Sequence, residues 1–219
     1  MSQPDSAASF IGLIAEPVPP IHMQRIHALV SFALLLTLGW FALSGFAQTE
    51  DKQESNEAVA TAHTVYLVRH AEKATDDPRD PNLSEPGVER AQELAHVLGK
   101  ANVTHLFSTA YKRTRATLAP LAEAMGLEVD SYSPRDMGQL VERLRGLPAG
   151  SVTVVAGHSN TTPGLFKALS GVEGVDLEPS QYGPMIPDDG YDRLFSVTLG
   201  EVEGAVRCLA SVELRFGKP

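Results

Sequence analysis

The chain is 219 residues long, 43% apolar and 21% charged, the make-up of a globular protein rather than a disordered or fibrous one. Its formal net charge of -9 supplies no basic face for nucleic acid, so no nucleic-acid partner is expected. The lone Cys208 cannot close an internal disulfide; on the alternating stretch Ala205 to Glu213 it reads as a small apolar core residue.

Residues 1–22, with Pro4, Pro17, Pro19 and Pro20, carry no helical or strand period and read as a disordered or untranslated extension. His27 to Ala47 is almost purely apolar and long enough for a bilayer, which takes roughly 20 such residues. Arg25 precedes it and Glu50, Asp51 and Glu54 follow, a charge order that predicts the N-terminus inside and the remainder outside the cytoplasm. A start at Met23 gives a short basic n-region, an apolar h-region and the small residues of Gly45-Phe46-Ala47 where a signal peptidase inspects. Residues 23–47 are therefore expected to be a signal peptide cleaved after Ala47. The alternative is an uncleaved anchor, since the apolar run exceeds the usual secretory length. Either way this segment meets the membrane at least during export, and the domain is expected to be periplasmic. Residues 48–60 are a polar, acidic linker, and 61–219 form the domain.

Within that domain, Thr64 to Val68 is a dense β-branched and aliphatic run, suited to a central strand covered on both faces. Ser84, Pro86 and Gly87 open a helix carrying Val88, Ala91, Ala95 and Leu98 at helical spacing, with Gly99 as its stop. Val103 to Ser108 is a second strand. Thr114 to Met125 is a second helix, which Pro120 is expected to kink or to start later. Leu127 to Tyr132, Asp136 to Leu147, Val152 to Ala156 and Thr162 to Leu169 continue the alternation as strand, helix, strand and helix. Leu194 to Leu199 and Val206 to Leu214 flank a turn at Gly200 to Gly204 and predict an antiparallel hairpin. Strands alternating with helices argue for a three-layer α/β/α sandwich with a mostly parallel central sheet.

Three segments place basic groups after strands: Arg69-His70-Ala71-Glu72-Lys73, Ser108 to Thr117 with Arg113, and Gly157-His158-Ser159-Asn160. In open α/β sheets, ligands bind beyond the carboxyl ends of the strands. A cationic cluster there faces an anion, which His70 is placed to attack. Arg115, two residues from Arg113 on a helix, faces elsewhere. His63, His96 and His105 lack acidic or cysteine partners at ligand spacing and read as structural. No metal site is expected, because His-x-His and His-x-x-x-His pairs are missing and the arginines would repel a cation.

This arrangement resembles the histidine phosphatase, or phosphoglycerate mutase-like, superfamily. Arg69-His70-Ala71-Glu72 is similar to its nucleophile motif and Leu83-Ser84-Glu85-Pro86-Gly87 to its Leu-Thr-x-x-Gly helix entry. Thr109-x-x-x-Arg113-x-x-x-Thr117 is similar to its second-arginine motif, and Gly157-His158 to its second histidine. The resemblance implies that His70 becomes a phosphohistidine while Arg69, Arg113 and His158 bind the phosphoryl oxygens. Ser159, Asn160 and Lys73 are further candidate substrate contacts. One branch of the family takes its proton donor from the loop after the third strand, which points to Asp136; Asp188, Asp189 and Glu72 are weaker candidates. The other branch has His-Asp, but here Ser159 follows His158. The expected function is an exported, metal-independent and cofactor-free phosphatase for phosphate monoesters or phosphoramidates. Its substrate would be a phosphorylated small molecule, an envelope sugar phosphate or a phosphoprotein. The alternative is a non-catalytic anion-binding module of the cell envelope.

Overall fold

The first strand, β1 (His63–Arg69), shows in its burial why it is central. Val65 and Leu67 are fully buried in one apolar cluster and Val68 in another, so both faces of the strand are covered. The structure, a computed structural model, describes residues 61–218. The remaining strands are β2 (His105–Ser108), β3 (Val129–Ser131), β4 (Val152–Gly157), β5 (Arg193–Val202) and β6 (Ala205–Arg215). They form one sheet in the order β3-β2-β4-β1-β5-β6. β3, β2, β4 and β1 run parallel, while β5 and the β5–β6 hairpin are antiparallel.

Four helices cover the sheet: α1 (Glu85–Leu98), α2 (Lys112–Met125), α3 (Met137–Arg145) and α4 (Thr161–Ser170). Leu94 and Leu98 of α1 and Leu118 and Leu121 of α2 join Val68, Leu106 and Val154 on one face. Leu140 and Leu144 of α3 and Leu165 and Phe166 of α4 join Leu67, Phe107 and Val155 on the other. This is the expected three-layer sandwich with a mostly parallel sheet.

Three local expectations need correction. α2 begins at Lys112, earlier than expected, and runs through Pro120 without ending. Its N-terminus gains support from outside the helix, because the Lys112 amide donates to the Asp80 carboxylate at 2.9 Å. Cys208 is only half-buried, packed against the core from β6, since an edge strand has one uncovered side. The expected signal peptide or anchor, the Met23 start and the 48–60 linker lie outside the described residues. Among the described residues no helix is long and apolar enough to cross a membrane.

Candidate active site

The register of the sheet brings the two histidine motifs together. β1 and β4 pair in parallel with Arg69 opposite Gly157, so His70 and His158 leave adjacent strands at the same edge. The His70 amide donates to the Gly157 carbonyl at 2.9 Å, and the two imidazole centroids lie 5.5 Å apart. Gly157 has no room for a side chain: a Cβ there would lie 2.8–3.0 Å from the Thr161 and Thr162 hydroxyls and the Tyr132 phenol.

The segment carrying His70 is tied down from three directions. The Ala71 amide donates to Thr117 Oγ1 on α2 at 2.9 Å. The Ser84 amide donates to the Glu72 carbonyl at 2.9 Å, and a Cβ at Gly87 would stand 2.2 Å from that same oxygen. Arg90 of α1 then clasps the Glu72 carboxylate through Nε and Nη2 while donating to the Phe216 and Lys218 carbonyls. Burial pushes the Glu72 carboxyl up, but Arg90 outweighs it and holds the group below the usual carboxylate range. Glu72 is thus held by Arg90 as a structural anchor.

His70 is 5% exposed, and its Nδ1 lies 2.8 Å from the Ala71 carbonyl. A carbonyl can only accept, so Nδ1 carries the proton and Nε2 keeps its lone pair. Burial above all, with the charges of Arg69 and Arg113 and with His158, pulls the His70 pKa down to about 3 despite that hydrogen bond. The ring is therefore neutral at ordinary pH, as a nucleophilic nitrogen must be. His158 is lowered to about 4 by burial and by Arg113 and Arg69.

A chain of hydroxyls assigns the other tautomer. Thr114 Oγ1 donates to the Tyr111 carbonyl at 2.8 Å, so at 2.7 Å it accepts from Thr109 Oγ1. Thr109 Oγ1, 3.1 Å from His158 Nε2, is left to accept. The proton of neutral His158 thus sits on Nε2.

Arg69 is held by groups distant in sequence, and Arg113 by a near neighbour and a distant carboxylate. Arg69 stacks on Tyr191, 4.1 Å from its ring centre, and its Nη1 donates to the Pro187 carbonyl at 2.6 Å. Arg113 stacks on Tyr111 at 4.5 Å and faces Asp80 at 3.9 Å. The Nε atoms of Arg69 and Arg113 are buried without a partner among the described residues, a costly condition that an anion would relieve.

Arg69, His70, Arg113 and His158 line one pocket of about 350 Å³, together with Lys73, Ser159, Asn160 and Asp188. A small cationic pocket with buried, unpaired donors and a neutral imidazole suits a tetrahedral oxyanion. Lys73 is exposed at its rim. Asn160 is the N-cap residue of α4 without a side-chain cap, and the His158 amide donates instead to Thr161 Oγ1. The structure does not bring Asp136 here. Pro134 reaches the pocket, but the Asp136 side chain caps α3, accepting from the Gln139 amide at 3.1 Å. Asp188 is the carboxylate that lines the pocket, and it is 97% exposed and 3.8 Å from Arg69. Asp189 is not among the residues lining the pocket, although its charge acts on Arg69. His63 is buried and bonds the Leu144 carbonyl, a structural role as expected.

Sequence reasoning missed Tyr111 and Asp80, read Asp188 to Tyr191 as a turn or a rim contact to substrate rather than as the support of Arg69, and assigned no task to Thr109 or Thr117. Only the two threonines carried a signal, their place in the Arg113 motif.

Residues 65–134 match the histidine phosphatase superfamily (branch 1). That match covers less than half of the chain. A probable phosphoglycerate mutase of Serratia proteamaculans, GpmB, is 38% identical over 90 residues, which cover 36% of this chain. The match spans only 41% of that relative's length. In three dimensions the chain is similar to a mycobacterial hydrolase, hydrolase 2, with a TM-score of 0.52 at 17% identity, over 68% of this chain and 88% of that one. It is likewise similar to the protein histidine phosphatase SixA solved with tungstate, with a TM-score of 0.50 at 19% identity, over 68% and 96% of the two chains. These likenesses show the histidine phosphatase fold.

Proposed function

We propose that this protein is a metal-independent phosphatase that hydrolyses phosphate monoesters or phosphoramidates through a phosphohistidine. The observation that carries this reading is His70, neutral, with Nδ1 tied to Ala71 and Nε2 left bare inside the arginine-lined pocket. In the first step the Nε2 lone pair bonds to phosphorus and the bond to the leaving group breaks, its electron pair departing with that group. In the second, water attacks the phosphohistidine, the P–N bond breaks toward Nε2, and inorganic phosphate forms. Arg69, Arg113 and His158 hold the three equatorial oxygens, where phosphoryl transfer concentrates its charge. Planar guanidinium forks suit that geometry.

The scarcity of acids at the pocket favours leaving groups that depart without a strong proton donor, phosphoramidates and aryl phosphates among them. A phosphohistidine-type phosphoramidate is consistent with the likeness to SixA, and a phosphate monoester with the likeness to the mutase. The same scarcity supports a second reading, a non-catalytic anion-binding module. Turnover of an aryl phosphate by the full chain in chelator, compared with His70→Ala, separates the two. Turnover that vanishes in the variant supports the phosphatase; a silent wild type that still binds phosphate supports the module. The apolar run before the domain supports export, and N-terminal sequencing of the protein from cell fractions tests it: an end at Gln48 means cleavage, and retention in membranes means an anchor.

A further inference from the structure

The anion pocket does not end at its own walls. Pro134, Asn160 and Thr161 line both that pocket and a larger trough of about 690 Å³ running between α3 and α4. Met137 and Val141, one helical turn apart, form one apolar wall of the trough. Ala168 belongs to the α4 wall, and Tyr182, 74% exposed, stands at the trough from the long segment after α4.

Two glycines in these helices open the trough. Gly138 and Gly164 lie in α3 and α4, and neither has the positive φ that would demand glycine. Neither is required by packing: a Cβ at Gly138 would meet nothing within 4 Å, and one at Gly164 only the flexible Met137 methyl at 3.8 Å. Glycine is disfavoured in helices relative to alanine, so at these positions the fold gains nothing from it. What both leave behind is space beside an anion pocket whose Arg69 Nε is buried without a partner.

The geometry points to a leaving-group subsite: the trough between α3 and α4 receives the uncharged, apolar part, aryl or alkyl, of the same molecule whose phosphoryl group enters the arginine pocket. This rests on the phosphoryl reading of that pocket. Charge narrows the class further. The one charged side chain on the trough is Glu142, which faces Arg145 at 3.6 Å. Among the described residues no cation lines the trough to receive a second phosphate or a carboxylate, so esters with a second anionic group are disfavoured.

Binding of non-hydrolysable phosphonates to the full chain by calorimetry tests this without depending on turnover. Naphthylmethylphosphonate is expected to bind at least about tenfold tighter than methylphosphonate, from the apolar area it buries, and phosphonoacetate no tighter than methylphosphonate. Gly164→Leu fills the trough and is expected to abolish the naphthyl gain while leaving methylphosphonate affinity unchanged. Gly164→Ala, which only adds helix propensity, is expected to raise the melting temperature and keep most of the gain, which guards against a folding defect. Equal affinities for the two phosphonates, or a naphthyl gain that survives Gly164→Leu, would overturn the subsite. Failure of methylphosphonate and inorganic phosphate alike to bind would instead overturn the anion pocket and the subsite with it.

Discussion

His70 and His158 leave neighbouring parallel strands, face the same two arginines, and both have pKa values far below the ordinary histidine range. Their rings are nevertheless held at different ranges. His70 Nδ1 is fixed by the carbonyl of the very next residue, a contact that any chain with this local conformation makes. His158 Nε2 is fixed by Thr109, itself ordered by Thr114, from a different strand–helix junction. The first arrangement leaves Nε2 free to attack and needs no partner from elsewhere. The second makes His158 part of a hydrogen-bonded relay with Thr109 and Thr114. The two rings are thus distinguished by what each is tied to, since their electrostatic surroundings are nearly the same; the proposed nucleophile and anion binder differ in that respect.

The largest expected effect breaks that comparison outright. His70→Ala should lower aryl phosphate turnover by at least about 10⁴-fold, as loss of a covalent nucleophile does, while sulfate binding measured by calorimetry survives. His158→Ala should weaken binding and turnover together. If the two variants behave alike in both measurements, the division of labour is wrong.

Arg113 presses on both rings. Arg113→Ala should cost on the order of 2–5 kcal/mol at the transition state, read as kcat/KM, by analogy with other buried charge pairs and oxyanion donors. Lysine, lacking the planar fork, should recover only part of it. Full rescue by Arg113→Lys would reduce this residue to a point charge.

The relay can be read by pH. Free His158 titrates near 4, held down by burial and by Arg113 and Arg69. A bound dianion favours the imidazolium and raises that value in the complex, so binding takes up a proton. Affinity is then highest at low pH and falls as pH rises toward the raised value, by up to about tenfold per unit. Sulfate, dianionic throughout, should show this slope by calorimetry between about pH 5 and about pH 8, and His158→Gln should flatten it. A flat profile in the wild type would refute the relay.

The smallest effect concerns the residue that the structure moves out of the site. Asp136→Ala should remove an N-cap worth about 1 kcal/mol, visible as a lower melting temperature, and leave aryl phosphate turnover unchanged. A selective loss of kcat would return it to the chemistry.

The sequence by itself determined the α/β alternation and the hairpin ending, and it singled out His70, Arg69, Arg113 and His158, which the structure brings to one pocket. Those features are local: periods of two and 3.6 report which faces are buried, and each candidate side chain ends a strand, follows one directly or lies in the first turn of the helix after it. Tertiary structure alone decided which strand ends are neighbours. The order β3-β2-β4-β1 sets residue 70 beside residue 158, and the packing of distant loops lays Tyr191 against Arg69 and Asp80 against Arg113. It also decided that Pro134 meets the pocket while Asp136, two residues on, turns to cap a helix. The physical reason is that strand order and the aim of a loop depend on pairing and packing between residues far apart in the chain, and a local pattern of polarity carries no record of them.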